Sequence, residues 1–359
     1  MKTYIVGGYL RDQAMGIQTH DLDYVVVGTT PEEMLALGYT AVGQHFPVFL
    51  HPQTKAEYAL ARTERKVGPG YKGFTFHASP EVSLEEDLSR RDLTINALAQ
   101  ELDSNNNPIG PIIDLHGGLA DIKNRVFRHV GPAFVEDPVR LLRVARFAAR
   151  FPDFTLAPET KKLLQSISAS GELKALVPER VFQELAKGIV EQSPVRMFEV
   201  LAEAQALSYF FPEAESANLN GAIEQLSRCK DSSLLDRMGL FLGSFSSEFI
   251  KIWCESYRVP AEIRDFALVI QYVRKFESSS QKTSSDILDL LDRADYWRKP
   301  ERFENALRVL QSNQAALLSG VANKLSSLDL GVLANEAHHQ KVDIKTYIRA
   351  KRIELLNNL

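Results

Sequence analysis

Cysteine is scarce in this chain: Cys229 and Cys254 are the two found among 359 residues. They have no metal-like spacing and build no disulfide framework, which excludes a cystine-stapled fold and a cysteine-rich zinc site. Two small buried thiols suit a reducing cytoplasm. Long apolar runs are missing as well, and no segment approaches the ~18 residues of a membrane span. The N-terminal MKTYIVGG has one Lys and no apolar stretch of signal-peptide length. A soluble, cytoplasmic protein is expected. Neither charge dominates, since 42 basic and 46 acidic side chains give a formal net charge of −4. The total announces no nucleic-acid partner, but such binding depends on a local basic face and not on the sum. No repeat recurs at a solenoid period. The single low-complexity stretch, ESSSQKTSS (277–285), reads as a linker or long turn.

What is present is an ordinary globular composition, 45% apolar, on a length that suggests two or three domains at ~150 residues each. Residues 1–130 read differently from the rest. TYIVGG is a short β run broken by Gly7 and Gly8, and a helix follows from Tyr9 to about Met15. DLDYVVVG (Asp21–Gly28) reads as a strand, and PEEMLALG as a short helix with Pro31 in its first turn. PVFLHP and AEYALAR give two more strands. The short turns between them predict a compact, antiparallel or mixed sheet with helices on one side. Residues 63–81, TERKVGPGYKGFTFHASPE, break the rhythm: their glycines deny regular structure, and Arg65, Lys66, Lys72, Tyr71, Phe74 and Phe76 supply charge and stacking surface. An ordinary surface loop is the simpler reading of that stretch. From Asp137 onward, apolar residues recur at three and four positions, as in DPVRLLRVARFAARF and PERVFQELAKGIVEQ, which predicts amphipathic helices packed on one another. The fold class is therefore α+β, a small mixed-sheet head followed by a helical body.

The chemistry concentrates in the head. A Gly-Gly pair before a helix can cradle a triphosphate with backbone amides, although such a pair alone is more often a turn. Asp21-x-Asp23 places two carboxylates on one strand face, although D-x-D alone is usually a solvated strand end. Together with Arg11 they form one constellation. The glycines hold the triphosphate and the carboxylates hold magnesium, an oxygen-seeking ion, over its α-phosphate. One ion would activate the attacking 3′-hydroxyl and a second would steady the leaving pyrophosphate. His20-Asp21 also spells the HD pair of metal phosphohydrolases. His338-His339, the remaining close pair, lies at the far end of the chain without partners, so these read as surface histidines.

RRDLTINALA (Arg90–Ala99) supplies Arg90 and Arg91 for phosphate or ribose, while Leu93, Ile95 and Leu98 pack inward. Arg140, Arg143, Arg146 and Arg150 then form a stripe along one helix, just after Glu136 and Asp137. Two readings stay open here. One is a salt bridge between the acidic pair and Arg140. The other is base recognition: a carboxylate accepts from the exocyclic amine of cytosine or adenine while a guanidinium donates to the adjacent ring nitrogen. Uracil and guanine would leave a buried charge unmet. Asp137 and Arg140 would thus admit C and A without a nucleic-acid template.

These blocks resemble bacterial class II CCA-adding enzymes, tRNA nucleotidyltransferases of the polymerase-β superfamily. The matching pieces stand in the family's order: GGYLRD (7–12), DLDYVVVG, VGQHFPVFLHP, YALARTERK, RRDLTINALA, DLHGGLADIKNRVFRHV, EDPVRLLRVARFAAR and PERVFQEL (178–185), with ADYWRKPERFENAL (294–307) as a distant echo. The resemblance implies magnesium ligands at Asp21 and Asp23. It implies nucleotide contacts at Gly8, Arg11, Arg91, Arg140 and Arg143, with Asp137 and Arg140 as the amino-acid template for CTP and ATP. It further implies a catalytic head (1–130), a nucleotide-selecting neck (131–190), and a body and tail (191–359) that grip the tRNA acceptor arm, with no DNA and no membrane partner. Residues 63–81 would be the flexible element for switching from CTP to ATP. Glu57 is the candidate for any third metal carboxylate.

Some relatives carry a histidine-rich phosphohydrolase domain after the neck. Here SSLLDRMGLFLGSFSSEFIKIW (232–253) contains no histidine, so no phosphatase or cyclic phosphodiesterase activity is expected. The nearest rival is a poly(A) polymerase, which typically has a basic pair where this chain has Gln44 and His45. A partial enzyme adding only CC or only A is a second rival. A non-catalytic tRNA-binding protein is the third, and the intact aspartates and glycines speak against it.

Overall fold

The computed structural model describes residues 1–42, 48–66, 74–77, 79–211, 216–229, 232–280 and 282–358. The chain forms two compact units, Met1–Pro212 and Glu213–Leu359. The first unit opens with β1 (Lys2–Val6), α1 (Gly8–Ala14), β2 (Asp23–Val27), α2 (Pro31–Ala36), β3 (Thr40–Val42), β4 (Val48–Leu50) and β5 (Glu57–Leu60). It continues with β6 (Thr63–Lys66), β7 (Phe74–His77), α3 (Leu84–Ser89), β8 (Leu98–Leu102), β9 (Pro108–Asp114) and α4 (Gly118–Asn124). Seven strands form one sheet in the order β3-β4-β5-β2-β1-β8-β9. The β2–β5 pair is parallel and the other pairs are antiparallel, the mixed α+β head that the sequence predicts.

The helices are not confined to one side. Successive strand residues face opposite ways. Along β2, Val25 packs with Tyr4, Val6 and Leu88 of α3, whereas Val26 packs with Phe49, Tyr58, Leu60 and Met34 of α2. The unbroken VVV of this strand is the signature of burial on both faces. Both covering helices begin in reciprocal caps, Thr30 with Glu33 and Ser83 with Glu86, which satisfy two amides that would otherwise lack partners.

The stretch 63–81 also differs from expectation at its flanks. β6 and β7 pair antiparallel, Thr63↔His77 to Lys66↔Phe74, because the β-formers lie on either side of the glycines. Gly68, Gly70, Tyr71, Lys72 and Gly73 lie outside the described residues, as do Gln44 and His45. The short strand β10 (Val126–Phe127) pairs with β11 (Thr155–Leu156), and between them runs α5 (Val139–Arg150). Helices α6 (Pro158–Ser170), α7 (Pro178–Val190), α8 (Pro194–Glu203) and α9 (Leu207–Phe210) complete the unit. Prolines open α6, α7 and α8, where a missing N–H costs nothing. α5 packs on α7 and α8; it buries Leu141, Leu142, Val144, Ala145, Ala148 and Ala149, whose helical spacing leaves its arginines on the remaining face.

The second unit is helical throughout its described residues: α10 (Ser216–Arg228), α11 (Leu234–Leu242), α12 (Ser247–Ser256), α13 (Ala261–Ser278), α14 (Ser284–Arg293), α15 (Pro300–Leu310), α16 (Ala315–Ser326), α17 (Leu330–His339) and α18 (Ile344–Asn357). α13 contributes Phe266, Ile270 and Val273 to a core with Leu288, Leu291, Phe303, Leu307 and Leu318. A Cβ at Gly239 would overlap the Phe266 ring, so that glycine lets α11 and α13 meet. The expected 277–285 linker is shorter than its composition suggests. α13 runs through Ser278, and Thr283 caps α14. Cys254 is buried but Cys229 is half-buried, and both are free thiols. Among the described residues no helix is long and apolar enough to cross a membrane.

Close packing predicts one sensitive position in the head. A Cβ at Gly118 would overlap the Thr94 carbonyl, in the 3-10 turn Thr94–Asn96 that borders the cavity described below. Gly118→Ala should therefore destabilise the first unit by about 1–3 kcal/mol, the usual range for overpacking. Urea denaturation of the full chain reads this out, and an unchanged midpoint would contradict it.

Candidate active site

Sheet register assembles the first part of the site. Val6, the last residue of β1, lies opposite Asp23, the first residue of β2. Beyond Val6 the Gly7 amide donates to the Leu98 carbonyl at 3.0 Å, and the chain turns at a Gly7 φ of +71°. A side chain at Gly7 would be strained, and its Cβ would lie 3.0 Å from Arg91 Nη1. The Gly7-Gly8 turn, Arg91 and Asp23 are thus neighbours by construction. Asp21 precedes β2 and is not part of it. The two carboxylates therefore do not share a strand face by alternation. They meet because both line one cavity of about 540 Å³.

That cavity gathers Gly8, Arg11, Asp21, Asp23, Arg91, Asp137, Arg140 and Arg143, but Glu57 is not among its lining residues. Its described lining holds nine arginines against four aspartates, a field suited to a polyanion. Desolvation beside the cavity wall, and next the charge of Asp21, hold the carboxyl of the otherwise exposed Asp23 above the usual carboxylate range; Arg91 pulls it down and Glu57 adds to the rise. Two carboxylates that repel each other in this way are relieved by a hard cation. Among the described residues no group of three or more His, Cys, Asp or Glu side chains forms a metal cage. The pair fits a divalent cation that takes its remaining oxygens from water and phosphate. Glu57, at the start of β5, reaches Asp23 through its charge and does not complete a three-ligand cluster.

The arginines are held by buried carboxylates. Arg11 is 3% exposed; it donates to Asp12 Oδ1 at 2.8 Å and to Asn96 Oδ1 at 2.6 Å. Asp12 also accepts from Arg150 at 2.8 Å, across 138 residues of sequence. Asp92 accepts from Arg143 Nε at 2.8 Å, from Asn96 and from the Leu93 amide. Burial would raise the Asp92 carboxyl, but Arg143 and these hydrogen bonds hold it far below the usual range. Arg146 donates to Glu184 of α7 at 2.6 Å and lies 4.5 Å from the Phe147 ring centre. Asp137 accepts from Arg180 of α7 at 2.9 Å. Arg140 donates to the Ala133 carbonyl at 2.9 Å and to the Arg90 carbonyl at 2.7 Å.

Sequence reasoning missed Asp12, Asp87, Asn96 and Arg180. The spacing of Asp87 three and four residues before Arg90 and Arg91 was a visible helical signal. The Asp12–Arg150 and Asp137–Arg180 pairs leave no trace in local spacing.

Comparison with known proteins places the chain in a family. A model described as "Poly A polymerase head domain" matches residues 3–128, and one described as "Probable RNA and SrmB- binding site of polymerase A" matches residues 153–218. The "Multifunctional CCA protein" of Cupriavidus necator is 42% identical over 402 residues, covering 98% of each chain. The chain belongs to the multifunctional CCA protein family. The Burkholderia cenocepacia member of that name is 41% identical, covering 99% of this chain and 98% of its own. The fold agrees with that of the Bacillus stearothermophilus CCA-adding enzyme solved with CTP (TM-score 0.65, 23% identity, 99% of this chain and 89% of that one). It also agrees with that of the Thermotoga maritima CCA-adding enzyme solved with tRNA (TM-score 0.61, 23% identity, 91% and 78%). Alignment with the Cupriavidus member of the CCA protein family runs over 402 positions against the 359 residues here, so that relative carries residues this chain does without.

The raised Asp23 carboxyl has a consequence for stability. A carboxylate whose folded-state pKa lies above its unfolded value costs stability at neutral pH, and the cost fades as pH falls toward that folded value. Asp23→Asn should therefore raise the Tm of the metal-free protein at pH 7.5, by a small amount because the side chain is exposed, with the gain shrinking as pH falls into the carboxylate range. A scan in chelator that shows a lower Tm for the variant would contradict this.

Proposed function

We propose that the cavity is the nucleotide site of a CCA-adding tRNA nucleotidyltransferase, which adds C, C and A to the tRNA 3′ end from CTP and ATP without a nucleic-acid template. One observation carries the reading. Two mutually repelling carboxylates and a cage of arginines share a single cavity, in a chain that aligns over its whole length with CCA proteins. In the reaction the terminal 3′-hydroxyl of tRNA attacks the α-phosphate of the nucleotide. A phosphodiester forms, the bond to the β-phosphate breaks, and pyrophosphate leaves.

Asp21 and Asp23 would hold magnesium, which supplies charge neutralisation at the α-phosphate and lowers the pKa of the attacking hydroxyl. The Gly7-Gly8 turn and Arg91 hold the triphosphate, with Arg11 behind them, and Arg143 completes the wall on α5. Asp137 and Arg140 read the base. The Arg180 fork leaves Asp137 further acceptor positions, and two backbone carbonyls fix the plane of the Arg140 guanidinium. C and A offer the donor and acceptor edge that this pair complements; U and G present the reverse. On this reading residues 1–130 are the catalytic head, 131–190 the nucleotide-selecting neck, and 191–359 the tRNA-binding body and tail of a cytoplasmic enzyme. No hydrolase activity is included.

The matched head model bears the name of poly(A) polymerases, so poly(A) addition is the alternative to test. Labelled CTP and ATP are offered with magnesium to tRNA transcripts ending before CCA, after C and after CC. Addition that stops at CCA supports the reading. Long A tails, C addition alone, or A addition alone to the CC end each overturn it in favour of a related transferase. Asp21→Ala should reduce transfer at least a thousandfold while tRNA affinity, read by filter binding, changes less than twofold. Arg140→Ala should raise UTP and GTP use relative to CTP by about tenfold or more, and unchanged discrimination would remove Arg140 from base reading.

A further inference from the structure

Asp87 is fully buried on α3, at 0% exposure, and lies beneath the cavity without lining it. Its two oxygens serve different guanidinium groups. Oδ1 accepts from Arg90 Nη2 at 2.8 Å and Nε at 3.3 Å. Oδ2 accepts from Arg91 Nη2 at 3.1 Å and Nε at 3.3 Å. Oδ1 also accepts the Arg62 amide at 3.4 Å, one residue before β6 begins. Each arginine then acts on the site. Arg91 directs Nη1 toward the Gly7 turn and donates to the Asn96 carbonyl at 3.4 Å. Arg90 presents its carbonyl to Arg140 Nη2 at 2.7 Å.

We propose that Asp87 is a positioning residue for nucleotide binding: it sets the planes of Arg90 and Arg91 and, through the Arg90 carbonyl, the guanidinium of Arg140. One carboxylate thereby aligns the triphosphate side of the cavity with its base-reading side. The inference rests on the nucleotidyl-transfer reading above. The physical argument is one of satisfiability. Only a carboxylate accepts side-on from two guanidinium groups at once. A carboxamide keeps the shape but has one acceptor oxygen, so its NH2 would face one of the arginines and release it. Burial disfavours the charged form, and the two arginines outweigh that and hold the carboxyl below its usual range, so Asp87 stays an anion at working pH.

The test is steady-state kinetics of the full-length D87N with CTP, ATP and tRNA, repeated in an R91A background. The KM for both nucleotides should rise about tenfold, as for one lost charge-assisted hydrogen bond, while the tRNA KM stays within twofold. In R91A the same change should cost clearly less than in the wild-type background, because one of the two guanidinium groups through which Asp87 acts is gone. Nucleotide KM unchanged in a folded D87N, an undiminished penalty in R91A, or nucleotide and tRNA KM rising together would each overturn the proposal. If D87N does not fold by circular dichroism, D87E, which keeps the charge and shifts it by one methylene, is read by the same criteria. Calorimetric titration of CTP without tRNA separates the two readings. A wild-type protein that binds CTP but transfers nothing to tRNA defeats the functional reading alone, and equal CTP affinity in wild type and D87N defeats the positioning role alone.

Discussion

The nine guanidinium groups among the described residues around a cavity of about 540 Å³ repel one another unless negative charge is set between them. The fold supplies it from below. Asp12 takes Arg11 and Arg150, Asp87 takes Arg90 and Arg91, Asp92 takes Arg143, and Glu184 takes Arg146. Asp12, Asp87 and Asp92 are each at or below 6% exposure. Buried charges at these positions are tolerable because each is paired and hydrogen-bonded, and removing one partner would leave the other stranded at a cost of several kcal/mol. The interleaving holds six of the nine described lining arginines from behind.

Phe147 serves the same end by another means. It lies on α5 among the arginines, with the charges of Arg11, Arg143 and Arg146 at 5.3, 5.8 and 4.5 Å from its ring centre. An aromatic face is attractive to cations, so the ring spaces three guanidinium groups without using another carboxylate. α5 can carry this face because its other side is buried through small and branched residues. The positive stripe and the apolar stripe of one helix are thus the two halves of a single design.

How far the sequence revealed this depends on the range of each interaction. The head-plus-helices plan was legible, because strand and helix periodicities are local. So was the cluster Gly8, Arg11, Asp21, Asp23, Arg91, Asp137, Arg140 and Arg143, which ordered motifs and family resemblance named before any fold was known. The reading went astray where a local pattern had two outcomes. D-x-D implied one strand face, but β2 starts at Asp23. Helices were expected on one side of the sheet, but the run of three valines in β2 is buried from both. Cys229 is half-buried at the end of a helix where a fully buried thiol was expected. Of the supporting carboxylates, Asp12 was least legible as a bridge, since its second partner Arg150 lies 138 residues away and nothing in the spacing of either residue announces the other.

The local charge also resolves a tension in the composition. A chain with a formal net charge of −4 does not attract polyanions as a whole. Yet the described cavity lining holds five more arginines than aspartates, and low-dielectric walls focus that excess inward. The buried acids do not cancel it, because each of Asp12 and Asp87 offsets one positive charge while orienting two. The two aspartates at the Gly7 turn stand apart from this arrangement: Asp21 reinforces the raised Asp23 carboxyl more than Arg91 offsets it. A triphosphate alone would meet the arginines but be repelled by those carboxylates, and a divalent cation alone would meet the carboxylates but be repelled by the arginines. The cavity is complementary to the two together, so on the proposed reading its charge pattern would select a metal-bound nucleotide over either component.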